Sequence, residues 1–520
     1  MKELKELIVG MFKMNKKNAF NFKLIILSIF KFSFFSINSQ VKNISFSFFN
    51  QSTHKNVSHS SIQPLLESHL IKINKDSIYR KSTLGRKLWE ESLLDIVQDD
   101  VSLKADPLFN FTFGRNIKES NTISSNVRGF RISGDITPKV SFETRFYENQ
   151  FTYPEYLNEK ALNRAEKEPT VDAIAFGIGR AKKFKENGLD ASLANGYISF
   201  SPRKKMNFQL GHGRHFFGNG YRSLLLSDYA PDYPYISGQY YILKNKILYK
   251  HVNAWMSNLK RIPFSSTAEA LFIPKTASFN QISFQLSNKF NFSLFEGVIY
   301  NSFDTIVGRT NPNLTFCLPI FGFGVFERNS NSSSNLVYGL NCVYSISNVV
   351  SFYNQLSLSH TNKLGFQLGI KAESLFGTNR SFMNLEYNSL PSAFYSLDIS
   401  NLFQSYSHLS HELAHPLGSG FQEFVLKGQI SHKSLFLRCN YNYAFLENSS
   451  YNEVFQSIEE INNLSKNTLI FLNTSIGLYF NPKTNMEISL GHITRYLNSQ
   501  IDNYFMISWR TYLKNDYFDQ

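Results

Sequence analysis

The chain has 520 residues, more than one ordinary soluble core holds, so either several domains or one large closed structure is required. Aromatics are 15% of residues, with 50 Phe and 27 Tyr against 15 Pro, a β-former composition with Asn and Ser to make turns. The net charge of +14 is scattered, without a basic helix or an RNA-binding signature, which argues against a nucleic-acid partner.

Residues 14–40, "MNKKNAFNFKLIILSIFKFSFFSINSQ", have the order of a secretory signal. Lys16, Lys17 and Lys23 form the charged end, Leu24 to Phe35 the apolar stretch, and Ser39 is the small residue before cleavage. Lys31 interrupts the apolar run, and a spanning helix wants about 20 apolar residues, so removal is expected rather than anchoring. The signal is assigned to residues 1–39, with Met14 as an alternative start. Residues 40–105 are expected to form a periplasmic, partly helical preface. There Leu84, Leu88, Leu93 and Val97 fall near one helical face. The three cysteines, Cys317, Cys342 and Cys439, lack CxxC spacing and read as small buried hydrophobes rather than metal ligands.

From residue 106 to residue 520 the period is two. In "GFRISGDITPKVSFETRF", Phe130, Ile132, Ile136, Val140, Phe142 and Phe146 share one parity, and Arg131, Ser133, Asp135, Ser141, Glu143 and Arg145 share the other. The turn at Thr137-Pro138-Lys139 preserves this partition. The same device recurs around 201–205, 287–289 and 481–485. Short turns alternate with long loops at 152–189, 218–236, 257–278, 301–335, 396–420 and 447–466. Alternation alone also fits a soluble sandwich. Charged residues along one parity, and short turns on one rim against long loops on the other, point instead to an all-β fold. It is a closed transmembrane antiparallel barrel of about 18 strands, within 16–18. The last strand, "YFMISWRTYL", sets Phe505, Ile507, Trp509 and Leu513 against Ser508 and Arg510. Phe142, Phe208, Phe284, Phe292 and Trp509 are expected to face lipid.

Two motifs look like chemistry. "HELAHPLG" (411–418) places His411, Glu412 and His415 at zinc-protease spacing, which works because a helix aims both histidines at one metal. Pro416 disfavours that helix, and the residue where a third histidine would follow is Phe421. "GIGRAKKFKENG" (177–188) lacks the Gly-Lys-Ser/Thr ending of a phosphate loop. No catalytic set, metal site or cofactor is expected, and the chain reads as a non-enzyme.

"NFQLGHGRHFFGNGYRSLLLSDYAPDYPYI" (207–236) carries the candidate binding residues. Continuing the parity of Met206, Phe208 and Leu210 would point His212 and Arg214 at lipid. A bulge at Gly211 or Gly213 is expected to turn them into the lumen. The same Leu-Gly-His break follows a turn in "EISLGHITR" (487–495). His212, Arg214, Tyr221, Arg222, Asp228, Tyr229, Tyr233 and Tyr235 are assigned to an extracellular-facing ligand site, since charged groups suit sugar hydroxyls and aromatic rings suit sugar faces. Alternatively the Arg and Asp pair inside the lumen and the tyrosines mark the interfacial girdle.

"GRAKKFKENGLDASLANGYISFSPRKKMNFQLGHGRHFFGNGYRSLLLSDYAPDYPY" (179–235), "FNFSLFEGVIY" (290–300), "LGFQLGIK" (364–371) and "YSHLSHELAHPLGSGFQE" (406–423) resemble Bacteroidetes outer-membrane proteins grouped with the capsule-assembly Wzi family or the RemB-type gliding-motility proteins. The resemblance runs from about residue 60 to the C-terminus. The Wzi side implies an eighteen-stranded outer-membrane barrel with a small periplasmic helical part, acting as a surface lectin for capsular polysaccharide. The RemB side implies a surface component supporting gliding. The Asn-rich loop 329–335 and the strand 353–359 depart from the pattern, and no family binding residue maps onto a motif here. The implied partners are outer-membrane lipid, surface polysaccharide, and motility or secretion components. A solute-passing, porin-like channel stands as the third reading.

Overall fold

The computed structural model describes residue 43 and residues 59–64, 82–89, 91–98, 100–117, 121–166, 173–261, 272–300, 302–304, 308–309, 316, 318–325, 334–378, 380–395, 404–447, 466–481, 484–498, 500–511 and 514–520. The expected signal at 1–39, Met14 with it, lies outside these residues, as do Cys317 and Leu513.

Eighteen strands close into one antiparallel barrel. They are β1 (Val101–Asn116), β2 (Thr122–Thr137), β3 (Val140–Thr152), β4 (Gly188–Arg203), β5 (Met206–Gly213) and β6 (Tyr233–Ile242). Then come β7 (Ile247–Arg261), β8 (Phe272–Ser287), β9 (Phe290–Tyr300), β10 (Asn335–Ser345), β11 (Val350–Ser359) and β12 (Leu364–Glu373). The ring ends with β13 (Phe382–Leu390), β14 (Phe421–His432), β15 (Leu435–Glu447), β16 (Lys466–Asn481), β17 (Met486–Leu497) and β18 (Gln500–Arg510). Each strand pairs with its neighbour in sequence, and β18 returns to β1 from Tyr504↔Asn116 to Arg510↔Asn110. Closure satisfies every strand edge from within, which a bilayer demands.

The strands turn tightly at 138–139, 204–205, 288–289 and 433–434, all on one rim. Local side chains set these turns. Thr137 Oγ1 accepts the N–H groups of Lys139 and Val140, and Ser287 Oγ accepts those of Lys289 and Phe290. A hydroxyl two or three residues upstream thus replaces the ladder partner that a turning backbone loses. The opposite rim carries the long connections, including 153–187, 214–232, 301–334 and 391–420.

The two parities separate as expected. On β18, Phe505, Ile507 and Trp509 are 58%, 51% and 46% exposed, whereas Tyr504 and Ser508 are buried. On β3, Ser141, Glu143, Tyr147 and Asn149 are buried and face inward, with Phe142 and Phe146 on the other side. Phe284 and Phe292 stack across β8 and β9 at 4.7 Å. Toward the turn rim the exterior is therefore apolar, as hydrocarbon requires, and polar side chains line the lumen, while on the outward parity of β8 and β9 Asn280 and Glu296 are buried and bonded to each other. Cys342 and Cys439 are half-buried rather than buried. Cys342 pairs with outward Phe292 across the ladder, and Cys439 follows inward Arg438 on β15.

Over its described residues 82–98 the preface is less helical than the spacing of Leu84, Leu88, Leu93 and Val97 suggests. Helix α1 (Thr83–Trp89) carries Leu84 and Leu88, but Val97 lies in a short strand, Leu94–Gln98, that pairs with the start of β1. Ile96 and Val97 are β-branched and sit one tight turn from Val101, so a hairpin forms where a longer helix was expected. The short strand Ile62–Gln63 is buried and pairs with Phe216–Phe217. A second helix, α2 (Glu155–Glu166), follows β3 on the loop rim.

Candidate functional site

The residues singled out in 207–236 fold into the barrel. β5 keeps its register with β4 and β6 through Gly213, with Gly211↔Tyr235 and His212↔Pro234 in step, so the expected bulge is absent. His212 stays exposed on the outward parity near the loop rim, where its Nδ1 lies 2.7 Å from the Ala194 carbonyl. β5 stops at Gly213, and Arg214, one residue beyond the ladder, turns inward without a bulge. The second Leu-Gly-His break is likewise regular: Leu490↔Ile507, Gly491↔Met506 and His492↔Phe505 run without a shift.

Arg214 clamps the two ends of the loop. Its Nε donates to Asp232 Oδ1 at 2.6 Å, Nη1 to the Asp228 carbonyl at 2.9 Å and Nη2 to the Gly177 carbonyl at 3.1 Å. Burial pushes the Asp232 carboxyl up, but the adjacent Arg214 guanidinium outweighs it and holds Asp232 below its ordinary value. Between these ends, Leu224, Leu225 and Leu226 are fully buried against Phe279, Phe295 and Val337. Burying each leucine contributes about 1.5–3 kcal/mol.

Arg222 is fully buried. Its Nη2 reaches Glu423 Oε1 at 3.0 Å and Asp519 Oδ2 at 3.1 Å, and its guanidinium lies over the rings of Tyr221 and Tyr517. The Tyr221 and Arg222 backbone N–H groups donate to Glu386 at 2.8 and 3.1 Å. Gly218 and Gly220 permit this approach: a Cβ on them would sit 2.3 Å from Gln355 Nε2 and 2.3 Å from Glu386 Oε2 respectively. Asp228 accepts hydrogen bonds from Tyr517 and Asn515. Tyr229 donates to Gln520 Oε1 at 2.6 Å, Tyr233 lies 3.2 Å from His215 Nδ1, and Tyr235 donates to Gln209 Oε1 at 3.3 Å.

These contacts correct the expected placement. Tyr221, Arg222, Asp228, Tyr229, Tyr233 and Tyr235 are all buried, so they are not displayed at an outer mouth, nor do the tyrosines mark a girdle. Arg222 and Asp228 do lie inside the lumen, but each pairs with other partners rather than with the other. Together with residues 59–64, the 404–420 segment and residues 514–520, the loop fills one side of the lumen.

His411 and Glu412 form an extended two-residue strand against Ser407–His408, not a helix. His415 turns away to Glu423, with Nε2 2.8 Å from Oε2. The zinc-protease spacing therefore never becomes zinc-protease geometry, as Pro416 foretold. Among the described residues no group of three or more His, Cys, Asp or Glu converges on a metal position.

The other side of the lumen holds a cavity of about 230 Å³ between Thr511, residues 514–518 and the wall from β15 round to β3. Two adjacent rows of paired inward residues explain the space. One runs Arg438, Ser475, Gly491, Met506, Gly114, Ile123; the next runs Gly477, Ser489, Ser508, Thr112, Ser125. Mostly glycine and hydroxyl side chains point in here, where leucine, tyrosine and phenylalanine fill the opposite side. Barrel strands tilt by about 35–45°, so such rows climb the wall, and the lining includes Asn485 at the turn rim and Pro154 at the loop rim.

Charge is concentrated toward the turn rim. Arg438 grips Glu487 with two N–H groups at 3.2 and 3.1 Å, and Arg510 Nε donates to Glu487 Oε1 at 2.9 Å. Arg510 Nη1 stands 3.6 Å from Asp516. Lys514 donates to the Phe176 carbonyl at 2.8 Å, and burial brings its ammonium down to about 8. Sequence reading missed this site. Inward parity on the last strand had already marked Arg510, and the run of small inward residues was legible, but nothing announced that residues 514–520 fold back inside.

No protein-family model and no curated protein matches the chain. Among solved structures it is similar to Wzi, an outer-membrane protein involved in group 1 capsule assembly in Escherichia coli and described as a carbohydrate-binding β-barrel. The identity is 13% and the TM-score 0.50, over 78% of this chain and 85% of that one. It is also similar to Pseudomonas aeruginosa OprD (10%, TM-score 0.42, 79% and 94%) and to OpdL of the same organism (9%, 0.44, 80% and 100%). The closed eighteen-stranded ring, its apolar exterior and the Wzi-like fold make this chain an outer-membrane β-barrel.

Proposed function

We propose that the protein is a non-enzymatic barrel that binds or organises exported polysaccharide at the cell surface. The observation that carries the reading is the filled lumen. The loop 214–232 is buried almost throughout and tied by Arg214 and Arg222 to the loop's own ends, the wall and the segment after β18. Such a barrel is a rigid mount for its outer loops rather than an open conduit. The Wzi-like fold supports the same reading, and so do the motifs that resemble that family. A periplasmic position for the preface follows from placing the short turns on the inner side of the membrane.

Cells lacking the protein should release exported polysaccharide into the medium while total production stays constant, and the parent chain should restore retention. Unchanged retention with lost gliding would replace this reading with the motility-accessory one. Unchanged retention and gliding would end both.

A further inference from the structure

We propose that residues 316–325 form a flap on the outside of the barrel, embedded in the loop-rim side of the bilayer, with lipid acyl chains as its outer partner. This goes beyond the preceding reading and does not depend on it, since it concerns the outer wall rather than the lumen or a saccharide.

A carboxyl on the lipid-facing parity is the first argument. Glu296 shares the outward side of β9 with Phe292 and Leu294, yet it is fully buried. It is the seventh residue after the 288–289 turn. The seventh residue from the turn is Phe146 on β3 and Leu426 on β14, both outward. Glu296 therefore stands within the apolar band, about 25 Å tall, where a bare carboxyl is costly. The flap covers it. Gly322 and Gly324 donate their backbone N–H groups to Glu296 Oε2 and Oε1 at 2.9 and 2.8 Å, and Asn280 Nδ2 donates to Oε2 at 3.2 Å. Glycine permits this approach: a Cβ on Gly324 would lie 2.5 Å from Glu296 Oε1.

The path of the chain is the second. β9 ends at Tyr300 on the loop rim, and Phe316 packs against the outward rings of Tyr300 and Trp255 at 5.7 and 5.6 Å, beside Val298 and Leu336. Glu296 lies four residues back down the strand (300 minus 296), so the segment descends the outer face of the wall. Composition is the third. "FCLPIFGFGVF" (316–326) has no charged, hydroxyl or amide side chain, in a connection where polar residues are the rule. Leu318, Ile320 and Val325 remain 40%, 48% and 42% exposed. The backbone N–H groups of Ile320, Gly322, Phe323, Gly324 and Val325 all have acceptors, and Pro319 has none to satisfy. Lipid demands that of any backbone it surrounds. A protein partner would take about 800 Å² per side, more than three side chains offer, whereas acyl chains already surround the wall at this height.

Spin labels at positions 318, 320 and 325, one at a time, test the proposal in the full chain carrying Cys317→Ala, Cys342→Ala and Cys439→Ala, in phosphatidylcholine liposomes. Relaxation by dissolved oxygen, which concentrates in hydrocarbon, is compared with relaxation by a water-soluble nickel chelate. The oxygen-to-nickel ratio at all three positions should match that at outward position 426 and exceed that at position 204, in the β4–β5 turn, at least fivefold. A ratio like that at 204 places the segment in water and overturns the proposal. Low access to both reagents means that protein covers the flap, a second copy included, and overturns the lipid contact. Glu296→Ala and Gly324→Ala disturb the anchor from its two sides, and in each the label at 320 should gain nickel access at least fivefold while the barrel keeps its heat-modifiable mobility. Gly324→Ala leaves the wall untouched, so it decides where Glu296→Ala does not insert. Unchanged nickel access at 320 in the inserted variant overturns Glu296 as the anchor.

Discussion

Arg222 shows how a charge that looks like a ligand-binding residue becomes a structural one. Its side chain is fully buried, and Glu423 and Asp519 lie 201 and 297 residues further along the chain (423 minus 222; 519 minus 222). Sequence offered Asp228, six residues away, as the partner. The real partners could not be read because a lumen brings together segments that share no local signal. Removing one member of such a buried set costs about 3–5 kcal/mol, since the others stay buried and unpaired. Arg214 and Asp232 make a second, separable set, and its pH dependence has a definite sign. The folded carboxyl of Asp232 lies below its unfolded value, so the stabilisation is present above roughly pH 4 and is lost as pH falls through the folded value. Arg214, Asn195 and His212 are the side chains that act on it. Burial raises Asp228, the opposite sense, which offsets part of this loss. Acidification should therefore lower the hydrogen-exchange protection factors in 214–232 before the barrel itself opens. Asp232→Asn should flatten that acid response while raising exchange at neutral pH. An unaltered acid response in this variant would mean that Asp232 does not govern the loop.

At the level of the element, period two was sufficient to recover the strands, because in a barrel one face meets hydrocarbon and the other meets polar lumen along the whole length. Strand ends were less readable. A glycine within a strand signals either a bulge or an end, and at Gly213 it is the end, so His212 remains outside while Arg214 enters. The outward face itself gives a sharp test. Leu294 lies opposite Ile282 near the middle of the β8–β9 ladder, on the same outward parity as Phe292. Arg at the bilayer midplane costs about 2–4 kcal/mol, so Leu294→Arg should lower the unfolding free energy of the folded barrel, read by urea titration in liposomes, by that amount. Ser293→Ala, on the buried inward parity, should cost less than about 1 kcal/mol by the scale of a single ordinary hydrogen bond. Spin labels at positions 142, 208, 284, 292 and 509 should all report apolar surroundings in liposomes. Equal costs at 294 and 293, or polar surroundings at the labelled sites, would contradict the assigned faces.

For the whole molecule, closure and filling are separate achievements. The ring is held by ladders between sequence neighbours and by the β18–β1 seam, none of which involves the loop 214–232. Its circumference and approximate strand number were legible from alternating runs and alternating connection lengths. Its contents were not, because residues 59–64, 214–232, 404–420 and 514–520 are far apart in the chain and share no local signal that brings them together. Barrels of sixteen to eighteen strands are wide enough to leave an aqueous channel, so what separates this chain from a pore is the material inside it. Replacing 215–231 by a short Gly-Ser linker removes Leu224, Leu225 and Leu226 and frees Glu386, Glu423 and Gln355 from their loop partners. The wall keeps every ladder bond, and the exposed inward faces are polar enough to take up water. The variant should insert with normal heat-modifiable mobility but make liposomes swell rapidly in small sugars, where the parent swells at least tenfold more slowly. Rapid swelling by the parent would mean that the cavity beside the plug is already a through-passage, and the channel reading would then displace the surface-mount one. A variant that fails to insert would show instead that the filled lumen is part of how the ring is built.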